Sequence, residues 1–192
     1  MGKRTENHEP CRVDEAGVPP LDLLAETVRE REHVCDQLEA IADDLPRGTD
    51  IRRIRSAMQF LKIKLPAYHR DERECLFPLI ARHASQSQDI AAIIAQLQIY
   101  QIEDEGYADE VIDLLAEMEK EAMQRTPEAA GYLLRGFFQN YRRYLAWQRL
   151  TILPLAHRVF RLKDLDELGK SLRWNRRTAS SPLIYLEPTA NM

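Results

Sequence analysis

Apolar residues recur along this chain three and four places apart, and almost nowhere two apart for long. That period belongs to amphipathic helices and not to strands. It begins at Pro19-Pro20, since proline is tolerated in a first turn, and runs to about Leu45. "PRGTD" (46–50) breaks it, and Thr49 or Asp50 can cap a second helix reaching about His83. Pro66 and Pro78 lie inside that helix and are expected to kink or interrupt it. After "ASQSQD" (84–89) a third helix extends from Asp89 to about Gln124, with Gly106 as its weak point. Thr126 before Pro127 is a capped start for a fourth, ending near Phe160, and a shorter piece spans Asp164 to about Arg173. Residues 1–18 and 178–192 carry no period and read as tails. The class is all-α: an up-down-up-down four-helix bundle over residues 19–177 with a short C-terminal helix.

The inward stripes follow from the same spacing. They are Leu24, Val28, Arg31, Cys35 and Leu38 on the first helix and Ile54, Leu61, Leu65, Tyr68, Glu72 and Cys75 on the second. The third offers Ile94, Leu97, Gln101, Glu105 and Ala108, and the fourth Leu134, Phe137, Tyr141, Tyr144, Gln148 and Ile152. Three stripes are therefore broken by a polar pair four residues apart: Tyr68/Glu72, Gln101/Glu105 and Tyr144/Gln148. Each pair falls near the middle of its helix, so antiparallel neighbours bring all three to one level. Arg31, or Thr27 just off the stripe, faces them from the first helix. Buried carboxylates need partners, and Glu72 and Glu105 must find theirs among Arg31, the phenols, the amides or a metal ion. His69 stands about 100° round from Tyr68 and is expected on a flank, as are His33, His83 and His157, with His8 in the tail.

Composition narrows the function. The 192 residues have a formal net charge of −4, so no basic field points to nucleic acid. No apolar run approaches the roughly 18 residues of a membrane span, and "MGKRTENHEPCRVDEAG" has no apolar signal core. Cys11, Cys35 and Cys75 are odd in number and far apart, which suits reduced thiols in a cytoplasm. On their stripes Cys35 and Cys75 are expected as small buried hydrophobes.

"YHRDERECLFP" (68–78) resembles the second-helix motif of hemerythrin-like (HHE cation-binding) proteins, a histidine with a glutamate four residues on and then Leu-Phe-Pro. "YLAWQRLTILPLA" (144–156) is similar to the fourth-helix motif of the bacterial members, and "LDELGKSL" to the short helix that often follows. The resemblance implies a four-helix bundle carrying a pair of non-haem irons for oxygen or nitric-oxide binding, sensing or repair. Carried over by position, the family's ligands fall on Tyr68 and Glu72, Gln101 and Glu105, Tyr144 and Gln148, and Thr27 or Val28. Every histidine position holds another residue, and one carboxylate has become an amide.

Two functions follow. One is a non-enzymatic regulatory or partner-binding bundle with no cofactor, its ligand positions forming a hydrogen-bonded core and its partner a protein. The other keeps non-haem iron, and oxygen or nitric-oxide binding, on an altered ligand set of Glu72, Glu105, Tyr68 and Tyr144. An oxidase-type enzyme is weaker, because no nucleophile, acid–base histidine or cofactor loop accompanies the site.

Overall fold

A computed structural model describes residues 18–45, 48–83, 88–121, 123 and 125–180. Regular structure among these residues is entirely helical: α1 (Pro20–Asp44), α2 (residues 51–83), α3 (Gln88–Glu119), α4 (residues 127–159) and α5 (Leu162–Ser180). The expected tails lie outside the described residues, save that α5 runs on to Ser180 instead of stopping near Arg173.

Side-chain pairs fix the topology. Arg53 meets Asp44 and Lys64 meets Glu30 between α1 and α2, while Arg55 meets Glu119 and His69 meets Glu105 between α2 and α3. Tyr107 packs edge-on against Phe137 between α3 and α4, and Arg135 pairs with Asp43 and Arg142 with Asp36 between α4 and α1. Rising numbers on one helix meet falling numbers on the next at every seam, so the four are antiparallel in a closed ring. Gly136 permits the α3–α4 approach, since a β-carbon there would stand 2.0 Å from the Tyr107 hydroxyl. The expected caps form: Asp50 accepts from the Arg52 amide (2.9 Å) and Thr126 from the Ala129 amide (3.3 Å). α5 lies over α1 and α2, with Gly169 beside Pro20, Asn175 Nδ2 donating to Cys75 Sγ (3.4 Å) and Arg176 paired with Asp71. Cys35 and Cys75 are buried free thiols, as expected of their stripe positions.

Pro66 and Pro78 do not interrupt α2. Each is preceded by a π turn, Phe60–Lys64 and Glu72–Leu76, and Pro154 in α4 likewise follows Gln148–Ile152. In each case the amide just before the proline reaches back five residues: Leu65 to Phe60, Phe77 to Glu72, Leu153 to Gln148. Proline lacks a donor, and its ring would strike the carbonyl four residues back in an ordinary helix. Taking one extra residue into the preceding turn moves that carbonyl aside, so the axis continues. Gly106 leaves α3 unbroken as well.

Candidate functional site

The π turns decide what faces the bundle axis. One extra residue in a turn advances everything after it by about 100°. Counting from Ile54 at 3.6 residues per turn therefore falls one place behind beyond Phe60–Lys64. His69, expected on a flank, is 0 % exposed and lies at the centre of the bundle. Tyr68, expected inside, is on the flank: its hydroxyl donates to Glu30 Oε2 at 2.6 Å, and its ring meets Phe60 edge-on. The same slip turns Arg73 inward, where its Nη1 lies 2.8 Å from Glu105.

Glu72 stays inside despite the slip because it stands three residues beyond His69 on the same face, and the positions on the other helices stand where the spacing puts them. Gln101, Tyr144 and Gln148 are buried, Glu72 is 2 % exposed, and Glu105 is half-buried at the rim. Thr27 is the first-helix residue that joins the polar layer, its Oγ1 donating to the Leu24 carbonyl and accepting from Arg31 Nη2 (3.2 Å), while Val28 packs in the apolar core. His33 and His157 are exposed. His83 sits beside Asp164 of α5 at 3.0 Å. His8 and Cys11 lie outside the described residues.

Two connected clusters result. In the first, Arg31 Nη2 donates to Glu72 Oε1 at 2.7 Å, and its Nε to the Thr27 carbonyl at 3.1 Å. Glu72 Oε2 accepts from Gln101 Nε2 (2.8 Å) and from the Tyr144 hydroxyl. That hydroxyl in turn accepts from Gln101 Nε2 (2.7 Å) and Gln148 Nε2 (2.9 Å). In the second cluster, Glu105 Oε1 accepts from Arg73 and from His69 Nδ1 (2.9 Å), while His69 Nε2 faces the Tyr141 hydroxyl at 3.2 Å. A neutral imidazole with its proton on Nδ1 satisfies both contacts: it donates to Glu105 and accepts from Tyr141. The Tyr141 and Tyr144 rings lie parallel at 5.8 Å, and His69 meets both edge-on.

Electrostatics agree with this pattern. Burial pushes the His69 pKa below its ordinary value, against the pull of Glu105 and Glu72, so the ring stays neutral. Burial would lower Arg31, but the Glu72 carboxylate beside it raises it above its usual value. Burial holds Tyr141 and Tyr144 far above the usual phenol range. The His69 hydrogen bond, against burial and with help from Arg73, keeps Glu105 below the ordinary carboxylate value.

His69, Arg73 and the link through Tyr141 are what a straight 3.6 count misses. The prolines carried the signal: a helix that runs through Pro66 and Pro78 has to lengthen a turn before each. Among the described residues, no group of three or more His, Cys, Asp and Glu side chains is arranged to hold a metal ion. The one buried polar atom of the two clusters without a partner is Arg31 Nη1, a cationic donor.

Comparison with curated proteins finds none that matches. The sequence model of the hemerythrin HHE cation binding domain matches residues 22–156, from the first turn of α1 to the last turns of α4, well over half the chain. The bundle just described thus belongs to the hemerythrin HHE cation-binding domain family.

Proposed function

We propose that this chain is a non-enzymatic member of its family whose ligand layer works without metal, the bundle being retained as a regulatory or protein-binding module. The observation that supports it is the occupancy of the two carboxylates. Glu72 and Glu105 are each hydrogen-bonded to a guanidinium, Arg31 and Arg73. A charge-assisted pair of this kind does what a cation would otherwise do for a buried carboxylate. The remaining oxygen of Glu72 already takes Tyr144 and Gln101. Iron in such bundles is held by imidazole nitrogen and carboxylate oxygen. The residues here supply one imidazole, already bonded at both nitrogens, with amides and neutral phenols around it. That set does not fit a pair of irons.

The alternative, non-haem iron serving oxygen or nitric-oxide binding, gains one point from the register shift. His69 faces inward beside Glu105, a donor pair that Tyr68 could not provide. It requires Arg73 to withdraw from Glu105, and Arg31 from Glu72 if both carboxylates are to serve.

Metal analysis of protein purified from iron-supplemented cells separates the two. The expected result is iron far below one atom per chain, a featureless visible spectrum and a Tm unchanged by chelator. Near-stoichiometric iron with a tyrosinate or oxo-bridge charge-transfer band overturns the metal-free reading.

A further inference from the structure

A small cleft lies between α3 and α4. Tyr100 and Asp104 stand four residues apart on one face of α3, and Asn140, Arg143, Tyr144 and Trp147 recur at three and four places on α4. These side chains line a space of about 160 Å³. Tyr100 and Trp147 are each more than a third exposed, so the cleft opens to solvent beside them. Asp104 is 6 % exposed, and its Oδ2 is enclosed with no hydrogen-bond partner. Buried polar atoms are nearly always satisfied. An orphaned carboxylate oxygen on a residue that lines an open cleft therefore calls for a donor from outside the chain.

The cations nearby are engaged elsewhere. Arg143 lines the cleft, but it is exposed and its Nη2 donates to Asn140, while Arg73 is taken by Glu105. Glu103 and Glu105 add to the negative field at Asp104. A water could donate to Oδ2 but would leave the charge uncompensated. A primary ammonium does both, whereas a quaternary one has no N–H to give. The walls suit the rest of such a ligand: Tyr100, Tyr144 and Trp147 offer apolar surface to an alkyl stem and aromatic rings to the cationic head. The space equals about five waters, enough for a head group on a short stem.

We propose that the α3–α4 cleft binds a primary alkylammonium, whose head donates to Asp104 Oδ2 while its stem lies among Tyr100, Tyr144 and Trp147. Such a head belongs to a small free amine or to a lysine side chain of a partner, and the same groups recognise either. Of the lining residues Tyr144 alone also joins the polar layer, through its hydroxyl. The site is therefore independent of whether that layer binds metal.

The two tryptophans give a direct test, since Trp147 lines the cleft and Trp174 stands on α5. The full-length, isotope-labelled protein is titrated with n-butylamine at about pH 8, where the amine is protonated. The Trp147 indole N–H signal is expected to shift saturably with a millimolar Kd, while the Trp174 signal stays in place. n-Butanol, the same stem without the charge, is expected to bind about tenfold more weakly or not at all. Asp104→Asn should weaken n-butylamine by about tenfold or more, with an unmoved Trp174 signal showing that the variant is folded. Arg143→Met, which removes a like charge from the rim, should bind n-butylamine as well as the parent or better. N-acetyl-lysine methylamide carries the same head and stem on a peptide unit. If it binds as n-butylamine does, the source is a partner's lysine; if n-butylamine alone binds, it is a free amine. No saturable Trp147 shift in the parent, equal affinity for n-butanol, or full affinity in Asp104→Asn overturns the proposal. Binding that appears only in Arg143→Met overturns it too and assigns the cleft to the Arg143 side chain.

Discussion

Two carboxylates are buried in this bundle and are kept in opposite ways. Glu72 on α2, 2 % exposed, is bonded to Arg31, Gln101 and Tyr144. Asp104 on α3, 6 % exposed and three residues from Gln101, has an enclosed oxygen, Oδ2, without a partner. Burial, with Glu103 and Glu105 close by, pushes the Asp104 pKa up to about 7. Arg143 of α4 lines the same small cleft, yet its Nη2 donates to Asn140. One acid is tolerated inside because both its oxygens are hydrogen-bonded, the other because burial favours its protonated form. The polar layer around Glu72 is thus the answered one, and the unanswered acid lies on α3 between Gln101 and Glu105.

The largest effect that would break this contrast comes from Arg31. Replacing it with alanine leaves Glu72 charged and buried without its cation, and chemical denaturation is expected to show a loss of about 3–5 kcal/mol. Adding Glu72→Gln should return a good part of that loss, because the stranded charge is then gone. Additive losses would mean the pair is not coupled.

Asp104 should behave the other way. Its folded pKa lies above its ordinary 3.8, so the folded state binds the proton more tightly than the unfolded chain does. The stability this gives is complete below pH 3.8 and is lost as pH rises through about 7. Asp104→Asn, neutral at every pH, is expected to be more stable than the parent by about 2–3 kcal/mol at pH 8. The advantage should shrink steadily as pH falls towards 4. Melting curves across that range check it, and a constant difference would place the proton elsewhere.

The smallest test compares two tyrosines. Tyr144→Phe removes a hydroxyl that gives one hydrogen bond to Glu72 and takes two from glutamines, and should cost about 2 kcal/mol. Tyr68→Phe, on a half-exposed flank with Glu30 still held by Lys64, should cost under about 1 kcal/mol. Reversed values would mean that Tyr68, and not His69, faces the axis.

That last comparison marks where the sequence stops being readable by period alone. Gln101, Tyr144 and Gln148 could be named from 3-4 spacing because no π turn precedes them in their helices. Glu72 and the Arg31 that answers it were also legible, because a buried glutamate on a stripe demands a cation across the seam. The assignment failed between Tyr68 and His69, immediately after the first π turn, where neighbouring residues differ by about 100°. Glu105 is at the right level but half open to solvent, since its partners Arg73 and His69 come from the shifted part of α2. Asp104 left no mark at all: an aspartate among Glu103 and Glu105 reads as a solvated acidic run.

The extra residue held in Phe60–Lys64 has a consequence for how such a protein could change over time. Whether a tyrosine or a histidine occupies the heart of the bundle is recorded in the length of a turn several residues upstream of both. Losing a single residue there would rotate the next stretch of the helix like a dial, bringing Tyr68 in and carrying His69 and Arg73 out. A buried centre could thus be rewritten without substituting any residue in it. Chains whose ligand residues align letter for letter can, for the same reason, point different ones inward.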